Sequence, residues 1–497
     1  MRFSSPCGAA IWAMTALLLV GCNRSAVPIR VDARVDAPLS VADARAELDE
    51  LYDRLRASHY DLYARRTRAD YDARFASMRS ALDRPLTRRD LQVRFQLFVA
   101  YGNVAHAHID LPLDAYLAYR DAGGLKFPLS LRVHADAVFV TMNLSGVDAV
   151  SPGDRLTAVD GEPVDRWLAR LERLISADNP YLAHTQLEDL LPALVWLDAG
   201  ARARYTLEIV RTDGRSVRVV VPGVSTAEAN DALARQPGSL SLDRTTREAR
   251  MATADVAYLR PGPFYNPLDN ADMWDTTAFF AFIDAAFARF VDAHAKALVI
   301  DVRDNPGGDN SFSDHMVSWF ATAPYRFASS FRVKASDAAI AANRKRLNAD
   351  PSAANAVSRQ YDVAYASRTT GETFPFEIPM ADPRPPPRFE GRVFLLINRH
   401  SYSNTVTVAA LAQDYGFATI LGEETSDLAT TYGASETFTL SRSGIVVTFP
   451  KAYIVRLGGS TLARGVIPDR PIDTPVIEPA DDPVLRQAIV IAGDATR

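Results

Sequence analysis

Val393-Phe394-Leu395-Leu396-Ile397-Asn398-Arg399-His400-Ser401-Tyr402-Ser403-Asn404 is an apolar run that empties into a polar turn, and Thr405 to Tyr415 follows it with apolar positions at helical spacing. A short β-branched and aromatic run reads as a buried strand, and the alanine-rich segment reads as a helix. Ser403 therefore falls at a strand-to-helix junction. The first N–H groups of a helix have no partner inside it and point outward at the positive end of its dipole. A serine at that point is either an ordinary N-cap or a nucleophile standing beside oxyanion donors. The second reading requires a base elsewhere in the chain.

A second apolar strand, Ala297-Leu298-Val299-Ile300-Asp301, ends in Asp301-Val302-Arg303 and turns through Asn305-Pro306-Gly307-Gly308. Glycines in such a turn permit close backbone approach or positive φ. Upstream, Ala105-His106-Ala107-His108-Ile109-Asp110-Leu111-Pro112 would carry both histidines on one face if it were a strand. Three roles are open to His106: a structural histidine, half of a His-x-His metal site, or a general base. His59, His134, His184, His294, His315 and His400 do not supply the further ligands of a barrel-type metal site, and no metal or other cofactor is expected.

Taken in order, Ala105-His106-Ala107-His108, Asn305-Pro306-Gly307-Gly308, Ser401-Tyr402-Ser403-Asn404, Gly422-Glu423-Glu424-Thr425 and Gly465-Val466-Ile467-Pro468-Asp469 resemble the tricorn and C-terminal processing peptidase family of serine peptidases. The resemblance implies Ser403 as nucleophile and His106 as base, with His108 the second choice. It implies oxyanion donors at Asn404 and at Gly307 or Gly308, with Asp301 and Arg303 organising the turn. One branch of that family uses a lysine after Gly-Glu-x-Thr, but Ser426-Asp427-Leu428 contains none. The other branch uses histidine with a second serine and a glutamate. Here Ala105 stands where that branch has its serine, and Val406 where many relatives have glutamate, which leaves Glu423, Glu424 and Glu436 as candidates for the orienting carboxylate. These departures keep a second function open, a weakened member that binds peptides without cutting them.

At 497 residues the chain is too long for one ordinary core, so two or three domains are expected. The net charge of -5 gives no basic footprint for nucleic acid. Residues 1–22 read as a targeting segment, with Arg2, an apolar Ala9 to Val20 and the ending Leu19-Val20-Gly21-Cys22; that apolar stretch is too short for a convincing membrane span. The ending resembles a bacterial lipoprotein signal, implying lipidation of Cys22 and an outer-membrane anchor facing the periplasm; the alternative is a secretory signal cleaved elsewhere. Of the two cysteines only Cys22 would remain, which excludes a disulfide framework.

Residues 23–39 read as a tether, and 40–112 as a helical domain that ends in the histidine segment. Residues 127–222, with Ser151-Pro152-Gly153-Asp154 and Asp160-Gly161, resemble a PDZ domain, which would take an extended peptide as an added strand. Residues 250–497 read as the α/β peptidase core, whose strand and helix alternation argues for parallel pairing. An insertion or lid is expected at about 325–392. The family resemblance further implies a crotonase-like relation for this core, a peptide or unfolded protein as substrate, and a place in the cell envelope. The oligomeric state is not legible.

Overall fold

The computed structural model describes residues 38–235, 240, 242–268, 272–349 and 356–496. The targeting segment, Cys22 and the tether up to residue 37 lie outside the described residues. Residue 39 is already fixed, since Leu39 pairs with Leu86 in an isolated bridge.

Three helices open the described chain: α1 (Val41–Ser58), α2 (Arg68–Ala81) and α3 (Arg88–Val99). Each starts at a hydroxyl residue followed three positions later by aspartate. Ser40, Thr67 and Thr87 accept the N–H of Asp43, Asp70 and Asp90, which satisfies a donor that the helix itself cannot. α4 (Leu113–Asp121) follows the histidine segment.

The central unit is an antiparallel sheet of β1 (Leu129–His134), β2 (Ala137–Asn143), β3 (Arg155–Val159), β4 (Glu162–Pro163), β5 (Arg204–Val210) and β6 (Ser216–Pro222). Its order is β1-β2-β3-β5-β6, with β4 beside β3. Two helices separate β4 from β5, α5 (Val164–Glu172) and the longer α6 (Pro180–Ala199). The sequence reading missed α6 because its apolar residues run nearly all round it, without a clear stripe. α7 (Thr226–Arg235) leads out of the unit.

The core sheet holds β7 (Glu248–Met251), β8 (Val256–Arg260), β9 (Ala297–Asp301), β12 (Arg392–Ile397), β13 (Thr419–Gly422) and β16 (Arg470–Pro471), parallel except at the β7 edge. α8 (Thr277–Asp292), α9 (Asn310–Ser318) and α12 (Asn404–Asp414) cover one face through Phe279, Phe287, Phe312 and Ala409. α13 (Pro483–Asp494) covers the other through Val484, Ala488 and Ala492. This arrangement is a three-layer α/β core.

The stretch expected as an insertion or lid is instead largely built into a second sheet. It contributes β10 (Ser330–Lys334), α10 (Asp337–Ala349), α11 (Ala356–Ala366) and β11 (Thr373–Pro375). β10 pairs antiparallel with β15 (Val446–Val455), which pairs with β14 (Thr431–Thr439). β14 and β15, although they fall within the stretch read as the α/β core, therefore do not join the core sheet. β14 and β15 also share a hydrophobic core with the N-terminal helices, where Phe438, Val447 and Phe449 pack among Leu48, Leu51, Phe95 and Phe98. Among the described residues no helix is long and apolar enough to cross a membrane.

Candidate active site

β9 and β12 run parallel as neighbours, so their C-terminal turns emerge side by side. Hydrogen bonds lock the two turns together. Asn398 Oδ1 accepts the N–H of Asp304 at 3.0 Å, Ser401 Oγ donates to the Val302 carbonyl at 2.8 Å, and the Tyr402 N–H donates to the Asn305 carbonyl at 3.0 Å. Ser403 is thereby held at the mouth of α12 with φ 54 and ψ -121, a backbone conformation that L-residues rarely adopt. Its side chain makes no capping hydrogen bond, which removes the ordinary N-cap reading. Its own N–H donates to Asp427 Oδ2 at 2.7 Å.

Close approach at the glycine turn explains the residue type there. A Cβ on Gly307 would lie 2.8 Å from the Asn404 nitrogen and 2.9 Å from the Ser403 Cβ. The two glycines are not equivalent as oxyanion donors. The Gly307 N–H is taken by Asn305 Oδ1 at 2.9 Å, so Gly307 is corrected out of that role. The Gly308 and Asn404 amides donate to no protein acceptor among the described residues.

His106 sits in a turn, where the Ala107 N–H donates to the Val104 carbonyl, and not on a strand. Three parts of the molecule converge on its segment. Gln96 of α3 accepts the Ile109 N–H at 2.7 Å, Asp178 accepts the Ala105 N–H at 3.2 Å, and His108 pairs through its backbone with Thr448 of β15. The His106 ring stacks on Tyr402, the residue before Ser403, at 5.7 Å between centroids and 20° between planes. Burial holds its pKa below the usual histidine value, opposed by the Asp178 charge and by a hydrogen bond to the Tyr432 backbone. Its Nδ1 is buried without a partner. His108 has a carboxylate of its own, with Nε2 3.5 Å from Asp110 Oδ1.

None of the three expected glutamates serves His106. Glu423 is held by Arg132 at 3.2 Å and Arg399 at 3.4 Å, Glu424 by Arg464 at 2.6 Å, and Glu436 by Arg346 and Lys451, both at 2.6 Å. Arg303 pairs both with Asp301 and with Asp482 at the start of α13, each at 2.7 Å. Sequence reasoning missed Asp178 and Asp427, both pushed up to about 6 chiefly by burial. Asp178-Asn179-Pro180 signals only the start of a helix, and Asp427 stands in a turn searched for lysine.

A cleft partly open to solvent runs past the histidine segment and Tyr402. His106, His108 and Tyr402 line it together with Leu182 and Leu190 of α6, so the central unit supplies one wall. Among the described residues no group of three histidine, cysteine or acidic side chains could hold a metal ion.

Residues 273–472 match the profile of peptidase family S41. The chain carries a family S41 peptidase domain. Solved structures show a similar fold across nearly the whole chain. Mature CPAF complexed with lactacystin is 17% identical with a TM-score of 0.60, covering 92% of this chain and 98% of its own. Another structure of mature CPAF is 16% identical with a TM-score of 0.59, covering 92% and 96%. The photosystem II D1 C-terminal processing protease aligns at 15% identity with a TM-score of 0.44, covering 90% and 97%. No curated protein matches the chain. The S41 domain contains both turns that carry Ser403 and the glycine pair, and it makes the chain a serine peptidase. His106 and Asp178 lie outside the matched residues.

Proposed function

We propose that the chain hydrolyses peptide bonds of proteins in the cell envelope, as an endopeptidase or a carboxy-terminal processing peptidase, with Ser403 as nucleophile and His106 as base. The observation that carries this reading is the backbone of Ser403, strained and free of any capping bond beside two unengaged amides. Ser403 Oγ attacks the scissile carbonyl as the imidazole takes its proton. The Asn404 and Gly308 N–H groups receive the developing oxyanion. The imidazolium then protonates the leaving amine, and water hydrolyses the acyl-enzyme by the same steps.

A fluorophosphonate probe tests the assignment. Wild type should label and Ser403→Ala should not, and turnover of a casein substrate should fall about a millionfold, the scale seen on removing the serine of subtilisin. Equal labelling of the two proteins would reject Ser403. The PDZ-like reading of the central unit is supported by its antiparallel sheet and by the wall it gives the cleft.

Lipidation at Cys22 is the anchoring half of the proposal. Cys22→Ala should move the protein from the membrane fraction to the soluble periplasmic fraction. An unchanged distribution would remove the anchor. The second reading, peptide binding without cleavage, has one observation in its favour, the unpartnered Nδ1 of His106.

A further inference from the structure

The carboxylate whose charge acts on His106 belongs to the central unit and not to the S41 domain. Asp178 stands in the loop before α6, where its Oδ2 accepts the N–H of Ala105, the residue immediately before the histidine, at 3.2 Å. Its Oδ1 is buried with no hydrogen-bond partner, and the cation beside it, Arg65, is 3.8 Å away. His106 lines the cleft while its Nδ1 is turned inward, also buried and unpartnered. Two buried orphans on adjoining segments are each costly alone; they stand beyond bonding reach of each other here, and a small shift of the ring or loop that joined them would satisfy both.

We propose that Asp178 is the positioning residue of His106: the ring turns away from the Tyr432 backbone, Oδ1 accepts the Nδ1–H, and the other ring nitrogen is released to offer its lone pair to Ser403. The pairing rests on Ser403 being the nucleophile, and it answers the reading in which catalysis is weakened. It fixes the tautomer and stabilises the imidazolium once formed, the service a buried carboxylate performs in other serine peptidases. The remaining groups around the histidine do not offer this. His108 faces Asp110, Tyr402 presents its ring, Glu423, Glu424 and Glu436 are held by cations, and Asp427 accepts the amides of Ser403 and Leu428. The Tyr432 carbonyl is the rival acceptor for the ring. Asp178 also ties the central unit to the reaction, because movement of the loop before α6 would move the carboxylate.

The test uses the full chain as wild type, Asp178→Asn, Asp178→Glu and Ser403→Ala. Rates of fluorophosphonate labelling are measured across pH, and the His106 ring is titrated by NMR. Asp178→Asn keeps an acceptor for the Ala105 N–H, yet should slow labelling at neutral pH by about a hundredfold to ten-thousandfold. It should also shift both the His106 titration and the acid limb of the labelling profile to lower pH, since the stabilising charge is gone. Asp178→Glu should recover part of the rate. Should the asparagine variant fail to fold, a displaced acid limb in Asp178→Glu supports the pairing and an unmoved limb overturns it. Wild-type labelling and titration in Asp178→Asn would overturn the proposal alone and leave orientation to Tyr432. Absence of label on wild type would overturn the nucleophile assignment, and the proposal with it.

Discussion

Gly308 shows how little freedom the oxyanion side of the site has. Its φ is +139, and an added Cβ would lie 2.1 Å from the Phe264 carbonyl oxygen, so Gly308→Ala must displace the amide proposed to receive the oxyanion. Turnover should fall about a hundredfold to a thousandfold, the effect of losing one oxyanion donor, while fluorophosphonate still reaches Ser403 slowly. An alanine variant with wild-type turnover would take Gly308 out of the site. At this scale the sequence was informative where chemistry is local. Ser403 could be placed because a strand and a helix abut, and Gly307-Gly308 because a turn declares itself in composition. Asp178 could not, because nothing within a few residues of it distinguishes a carboxylate serving a distant imidazole from one preceding a helix cap.

Element boundaries follow from caps and periodicity, and β9, β12 and α12 stand close to where the pattern puts them. The pattern failed between 325 and 392 because β10 is short and its partner β15 lies more than a hundred residues further on. At the end of α1, His59 is buried and its Nδ1 accepts the Asp61 N–H at 3.1 Å. Burial, reinforced by the Lys334 ammonium, depresses its pKa from 6.5 to about 3. In the unfolded chain the ring takes up a proton first, so its contribution is fully present above pH 6.5 and is lost as pH falls toward 3. His59→Gln cannot titrate. Its stability deficit against wild type, measured by urea unfolding, should therefore narrow between pH 7 and pH 4. A constant deficit would mean that His59 takes up its proton alike in both states.

Across the whole molecule, the segments expected as separate domains prove to be interdependent. Buried Glu47 of α1 accepts the N–H of Ser443 at 3.1 Å in the β14–β15 turn, and the helices cover Phe438, Val447 and Phe449. No local pattern could reveal this, since the partners are separated by nearly four hundred positions. Removal of residues 1–112 should leave those aromatic and aliphatic side chains bare, and the remaining chain should be insoluble on expression. A soluble, cooperatively melting fragment would contradict the shared core. The pairing of His108 with Thr448 carries the same dependence to the proposed base, because the segment that holds His106 is anchored on almost the last strand to be synthesised. A nascent chain therefore holds the segments proposed for cleavage apart until translation is nearly finished, which delays any cutting until the fold around the site is complete.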